Sequence, residues 1–171
     1  MELMEAIRQR YSCRAYLDTP VEAEKLDFIL EAGRLAPSAR NSQDWRFVVV
    51  TEKATRQALC EAAASQPFVG QAPVVLAACS VSNKRMALCG QPYASINVAI
   101  ALEHIALAAT AQGLATCWIG SFKPQAVRRI LGIPTSAAVV ELMTLGYAAD
   151  KGASPKRLKK EEIVYSEKWS G

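Results

Sequence analysis

Residues 96–122 read INVAIALEHIALAATAQGLATCWIGSF, and residues 96–111 within them are the most apolar long segment of the chain. Residues 93–112 are predicted to form a long helix that ends at the C-terminal cap Gly113. Because this helix is apolar nearly all round, most of its surface must be buried, either inside the domain or at a subunit interface. Residues 115–121 then predict a strand that leads into a glycine turn.

Outward from this stretch, runs of apolar and β-branched residues predict three more strands, at residues 45–51, 72–81 and 138–147. The run APVVLAACSV, residues 72–81, predicts a strand that is buried on both faces. Helical patterns cover the first turns of the chain and residues 52–64 and 124–131. A further helix is expected to start at Thr19–Pro20, with Glu22 completing a capping box, and to end at Pro37. These elements predict one α+β domain over residues 1–171.

The composition excludes several classes of protein. A net charge of +4 without interleaved aromatic residues is too mild for a nucleic-acid binder. Five cysteines without a CxxC pair favour buried free thiols in a reducing cytoplasm, and a single histidine argues against a metal site. The opening residues do not resemble a signal peptide, and Glu103 and His104 interrupt the most apolar segment, so we expect no membrane span. No GxGxxG or P-loop motif occurs.

The segment RQRYSCRAY, residues 8–16, is a candidate anion site. In an extended segment, Arg10, Ser12 and Arg14 point to the same side, where two guanidinium groups and a hydroxyl can bind a phosphate. Cys13 points away from them, so a reactive thiol is not expected. Taken alone, the motif also fits a solvated basic turn.

Two further segments carry polar groups that fit a ligand. The loop APSARNSQDWRF, residues 36–47, groups Ser38, Asn41, Ser42 and Gln43, whose donors and acceptors suit a planar heterocycle; ordinary turn chemistry is the alternative. In PKRLKKEEIVY, residues 155–165, Arg157 precedes apolar residues that predict a docked tail. The histidine at 104 is interpreted as a core or interface residue.

Four pieces in this order resemble the nitroreductase family. They are residues 7–50, the quoted stretch 96–122, LGIPTSAAVVELMTLGY at 131–147 and PKRLKKEEIVYSEKW at 155–169. The resemblance implies a nitroreductase-like α+β fold, with a mixed, mainly antiparallel sheet flanked by helices. It also implies an intertwined homodimer that binds FMN at the subunit interface.

The resemblance further implies which residues bind FMN. Arg10, Ser12 and Arg157 would hold the phosphate, and Arg14 would approach the pyrimidine edge of the flavin. Backbone groups of Ile119 and Gly120 would approach the ring. Residues of the polar loop, some from the second subunit, would line the ring and ribityl chain, and these are Pro37, Ser38, Ala39, Asn41 and Gln43.

The function implied by the resemblance is that of an FMN-dependent oxidoreductase. NADH or NADPH reduces the flavin by hydride transfer, and an electron-poor acceptor such as a nitroaromatic or a quinone then takes its place in a ping-pong cycle. No protein side chain is assigned a catalytic role, since the flavin carries the chemistry. A non-catalytic flavin carrier or sensor on the same fold is the alternative, and a basic nucleic-acid module is the weakest.

Three departures from the family pattern stand out. Asp44 occupies a position that is commonly proline, which puts the loop geometry in question. Asn97 replaces an acidic residue that is often seen at the start of the core helix. The chain is also short and lacks the insertions that cover the pocket in larger members, so the substrate side is either more open or closed by residues 65–93.

Overall fold

The computed structural model describes residues 1–82, 84–150, 152 and 156–170. Within these residues, four strands form one antiparallel sheet, and they are Trp45–Val50 (β1), Val74–Ser80 (β2), Ala115–Ile119 (β3) and Ala138–Gly146 (β4). Their order across the sheet is β1-β2-β4-β3. All four lie where the sequence predicts them, because each is a run of apolar and β-branched residues between turn signals.

The sheet carries helices on both faces. The α-helices of the described residues are Leu3–Gln9 (α1), Ala23–Arg34 (α2), Lys53–Ala62 (α3), Pro67–Gln71 (α4), Tyr93–Ala111 (α5) and Pro124–Leu131 (α6). Leu59 of α3 and Val127 of α6 belong to the apolar cluster on one face, and Ile29 of α2 and Ile105 of α5 belong to the cluster on the other. The predicted α+β architecture, an antiparallel sheet flanked by helices, is therefore confirmed.

Strand β2 is central in this arrangement. Every residue from Val74 to Ser80 is buried, because apolar clusters cover the strand on both faces. The prediction of a strand buried on both sides is confirmed, and it explains why this segment shows no alternation of apolar and polar residues.

Helix α5 lies across one face of the sheet and is only partly covered. Val98, Leu102 and Ile105 are fully buried against the sheet, whereas Ile96 is 40% exposed. In the described part of the chain, α5 alone is long and apolar enough to cross a membrane, and 44% of the window that meets this criterion is buried. One such helix is weak evidence for a membrane-spanning segment, because the buried core helix of a protein can have the same length and composition. The Nδ1 atom of His104 is hydrogen-bonded to Ala32 O at 3.3 Å, as expected for a packed histidine.

Two local expectations were wrong, one about a helix start and one about the cysteines. Helix α2 starts at Ala23, not at Thr19–Pro20, and no side chain among the described residues caps it. The reason is that the carboxylate of Glu22 instead accepts a hydrogen bond from the hydroxyl of Tyr147. The short helix α4 was not predicted. Four of the cysteines are buried free thiols, but Cys89 is exposed.

Candidate functional site

Residues 10–16 lie in extended conformation beside β3. The backbone N–H of Cys13 donates to Thr116 O at 2.9 Å, and Ser12 pairs with Thr116 in a parallel bridge. Ser12 and Arg14 are exposed, whereas Cys13 between them is fully buried. The predicted alternation is therefore confirmed for residues 12–14, where it turns a hydroxyl and a guanidinium outward, whereas Arg10 is half-buried.

Arg14 and Arg10 bring positive charge to the β3 edge of the sheet. Arg14 lies two residues beyond Ser12, whose bridge to Thr116 holds this segment against β3. Burial raises the pKa of the Cys117 thiol, and the charge of Arg14 opposes that rise, which places the guanidinium within electrostatic range of β3. Arg10 caps the C-terminus of α1, and its Nε atom lies 3.9 Å from Oε1 of Glu103 on α5.

The C-terminal part of the chain returns to the same segment. The backbone N–H of Leu17 donates to Tyr147 O at 2.9 Å, and that of Ala149 donates to Ala15 O at 2.8 Å. The hydroxyl of Tyr11 then donates to Asp150 O at 3.0 Å. The tail that carries Arg157 therefore begins beside residues 10–14.

Arg157 itself is exposed and lies seven positions beyond Asp150. The tail around it contains a short 3-10 turn, Lys160–Glu162, and its apolar residues face outward in the single chain. Ile163 is 61% exposed and Val164 is 55% exposed. In the described residues, these apolar side chains of the tail are therefore not buried against their own subunit.

At the end of β3 the backbone becomes accessible. Ile119 is buried, whereas Gly120 and Ser121 are exposed. Below this turn lies Glu141 of β4, whose Oε1 atom would be 3.6 Å from a Cβ placed on Gly120. That atom is buried and has no hydrogen-bond partner in the described part of the chain, and burial raises the pKa of the Glu141 carboxyl. Sequence reasoning missed Glu141 as a candidate, although it is the one acidic residue in the otherwise mostly apolar run of β4.

The polar loop before β1 has an unusual backbone. It contains a 3-10 turn, Ala39–Asn41, and three of its residues with a Cβ atom have positive φ angles: 54° at Arg40, 53° at Asn41 and 46° at Gln43. The backbone N–H of Gln43 donates to Ser38 Oγ at 2.9 Å. The side chains of Asn41 and Gln43 remain exposed, so their amide groups are accessible to a ligand.

Asp44, which follows this loop, is buried rather than facing a substrate. Its carboxylate accepts hydrogen bonds from Ser42 Oγ at 3.1 Å, from Ser80 Oγ at 2.6 Å and from Asn97 Nδ2 at 2.6 Å. Burial alone would raise the pKa of this carboxyl, but the hydrogen bonds outweigh burial and hold the pKa below the ordinary value of 3.8. The two departures at positions 44 and 97 are thus in direct contact, which sequence reasoning did not foresee.

The candidate site residues fall into two groups in a single chain. Arg10, Ser12 and Arg14 line the β3 edge together with Ile119 and Gly120. The loop of residues 37–43, with Pro37 exposed and Ser38 and Ala39 half-buried, precedes β1 at the opposite edge. Three strand spacings separate these edges, or about 14 Å, so one chain does not bring both groups around one small ring.

The sequence and the fold are similar to those of known proteins of one family. The model of the Nitroreductase family matches residues 7–71 and 60–147. The chain is 36% identical to an NADH dehydrogenase of Thermus thermophilus, with 93% of each chain covered. It is 29% identical to an FMN reductase [NAD(P)H] of Bacillus subtilis, covering 97% of this chain and 74% of that one. A crystal structure of a nitroreductase family protein from Clostridium novyi matches with a TM-score of 0.83 and 31% identity, covering 88% and 87% of the two chains.

Proposed function

The chain belongs to the nitroreductase family, and from that premise we propose that it reduces nitroaromatic, quinone or similar electron-poor acceptors by a ping-pong mechanism. It is an NAD(P)H-dependent oxidoreductase with FMN as its cofactor. Family membership supports the NAD(P)H-dependent oxidoreductase activity, and we propose in addition the class of acceptor and the order in which the substrates bind.

One observation carries the cofactor assignment. The hydrogen bond from Cys13 N to Thr116 O holds the exposed Ser12 and Arg14 against β3, the strand that leads into the exposed Gly120. A hydroxyl and guanidinium groups suit a phosphate, and a glycine without a side chain lets a planar ring approach the backbone. The donors present on the β3 edge therefore fit FMN.

The residues assigned to FMN keep the roles that the family implies. Arg10, Ser12 and Arg157 would hold the phosphate, and Arg14 would approach the pyrimidine edge, where a positive charge would stabilise the reduced ring. Ile119 and Gly120 would present backbone groups to the ring. Residues of the loop would line the ring and ribityl chain, and these are Pro37, Ser38, Ala39, Asn41 and Gln43.

When bound, FMN would supply the hydride chemistry between NADH or NADPH and the acceptor. The protein contributes binding, orientation and the electrostatic environment. If NAD(P)H and the acceptor use one binding place in turn, the oxidised nicotinamide would have to leave before the acceptor binds, which gives ping-pong kinetics.

A homodimer is part of the proposal. The loop of residues 37–43 and the β3 edge lie about 14 Å apart in one chain, so a loop from a second subunit is the simplest way to complete the site. The exposed apolar residues of the tail, Ile163 and Val164, provide a surface for that subunit. We place the enzyme in the cytoplasm, since its five free cysteines suit a reducing compartment.

The test is anaerobic mixing of the FMN-loaded protein with NADH or NADPH, followed by a panel of acceptors. We expect the absorption band of oxidised FMN to disappear within seconds and to return when a nitroaromatic or a quinone is added. Parallel lines in double-reciprocal plots identify the ping-pong order. Protein that binds no FMN contradicts the cofactor assignment, and bound FMN that neither nicotinamide reduces identifies a carrier or sensor.

A further inference from the structure

The carboxylate of Asp44 is an unusual group to bury. The residue is only 1% exposed, and its partners among the described residues are three neutral donors, two hydroxyls and an amide. A buried carboxylate loses its hydration, and because these partners are neutral, their hydrogen bonds have to offset that loss. The same bonds hold the carboxylate and its three donors in one fixed arrangement.

The three hydrogen bonds connect three separate parts of the fold. Ser42 belongs to the loop before β1, Ser80 ends β2, and Asn97 lies in the second turn of α5. Asp44 thus fixes the C-terminal end of the loop against both the sheet and the helix.

Asn97 extends the same restraint to the other end of the loop. While its Nδ2 donates to Asp44 Oδ1, its Oδ1 accepts a hydrogen bond from the backbone N–H of Ala39 at 3.1 Å. The bond to Asp44 orients the amide so that its oxygen faces Ala39. Both ends of the 3-10 turn are therefore held by one pair of side chains.

The loop needs such a restraint because of its backbone. Arg40, Asn41 and Gln43 have φ angles in the left-handed region, which residues with a Cβ atom adopt at a cost. Without contacts that hold it, a loop with three such residues relaxes to other conformations, and its exposed amide groups lose their arrangement.

We propose that Asp44, acting through Ser42 and Asn97, is a positioning residue that holds the loop of residues 37–43 in the conformation that binds FMN. The inference rests on the proposed FMN site and assigns a role in it to two residues that do not touch the ligand. It also links the two departures from the family pattern. The acidic residue is Asp44, just before β1, and the amide that hydrogen-bonds to it is Asn97 on α5.

The experiment is a double-mutant cycle with Asp44→Asn, Asn97→Asp and the combined exchange. Asp44→Asn places an NH₂ group where a carboxylate oxygen now accepts a hydrogen bond. Asn97→Asp sets two carboxylates against each other. In the combined variant, the carboxylate introduced on α5 can accept from Ala39 N and from the amide introduced before β1. The oxygen of that amide can accept from Ser80 Oγ. Ser42 Oγ, which now donates to Asp44 and accepts from Asn97, can reverse both roles, so each hydrogen bond regains a donor and an acceptor.

The readout is the dissociation constant of FMN, measured by quenching of flavin fluorescence well below the unfolding temperature. We expect each single variant to bind FMN on the order of tenfold more weakly and the combined variant to recover most of that loss. The control is Arg56→Gln, which removes buried hydrogen bonds to Gly70 O and Ala72 O, away from the FMN residues. It should lower the unfolding temperature and leave FMN affinity unchanged.

Each outcome decides the matter. Wild-type affinity in folded Asp44→Asn, or a combined variant that folds and still binds weakly, overturns the positioning role while the proposed function stands. If a single variant does not fold, the combined variant supplies the answer alone. A wild-type protein that binds no FMN overturns the proposed function and this inference together.

Discussion

The Nε atom of Arg10 lies 3.9 Å from the Oε1 atom of Glu103, across the junction between α1 and α5. Burial raises the pKa of Glu103, and the charge of Arg10 opposes that rise. A carboxylate therefore lies beside the guanidinium to which we assign the FMN phosphate, and in the proposed site the two anions would compete for one cation.

Replacing Glu103 by Gln should tighten FMN binding. The change removes a negative charge near a dianionic phosphate, and because the pair is partly exposed, the gain should stay within about 1 kcal/mol, or roughly fivefold. Fluorescence titration with FMN measures it, with the exposed Glu61→Gln on α3 as the control. Weaker binding in Glu103→Gln would mean that the carboxylate orients Arg10 instead of competing for it.

Removing either assigned phosphate ligand should release FMN. Arg10→Ala and Arg157→Ala each delete a charge-assisted hydrogen bond worth about 1.5–3 kcal/mol, which corresponds to a loss of affinity of roughly 10- to 150-fold. Equilibrium dialysis with FMN measures the loss. Arg8→Ala, an exposed arginine two positions before Arg10, is the matched control and should bind normally. Full flavin occupancy in both test variants would show that the phosphate lies elsewhere.

Glu141 should make stability depend on pH. Burial raises the pKa of this carboxyl above its ordinary value of 4.5, so the folded state favours the protonated form. Its contribution to stability is present below the unfolded pKa and is lost as the pH rises through the folded pKa.

Glu141→Gln removes this titration. The unfolding temperature of the variant should exceed that of the wild type by a margin that grows as the pH rises from about 4 towards neutrality. Thermal unfolding followed by circular dichroism over that range gives the comparison. A margin that does not change with pH would show that Glu141 is not the responsible group.

Much of the fold could be predicted from the sequence because its determinants are local. Strand β2 is a continuous apolar run, and α5 is a long apolar helix with a glycine after it, so neither depends on distant residues for its identity. The outward alternation of Ser12 and Arg14 follows from extended backbone in the same way.

What could not be predicted depends on contacts between distant residues. No single segment of the sequence predicts the order of the strands. That order places the loop before β1 and the turn after β3 at opposite edges of the sheet. Likewise, Asp44 is buried because Ser80 and Asn97, far away in sequence, come to meet it. Helix α2 begins later than predicted for a similar reason, because the carboxylate of Glu22 accepts a hydrogen bond from the distant Tyr147.

The tail should prove to be a subunit contact. Replacing both Ile163 and Val164 by Glu puts charge on apolar side chains that are more than half exposed in a single chain. We expect dissociation to monomers and loss of FMN, measured by size-exclusion chromatography with light scattering and by flavin absorbance. Gln125→Glu, an exposed change on α6, should leave both unchanged. A double variant that remains a flavin-loaded dimer would place the subunit contact on another surface.

The most direct measurement is a crystal structure of the protein with FMN bound. We expect a dimer in which the phosphate lies within hydrogen-bond distance of Arg10, Ser12 and Arg157, with the ring between Gly120 of one subunit and the loop of residues 37–43 of the other. A flavin whose phosphate contacts none of these three side chains, or one that is enclosed by a single subunit, would contradict the proposed site.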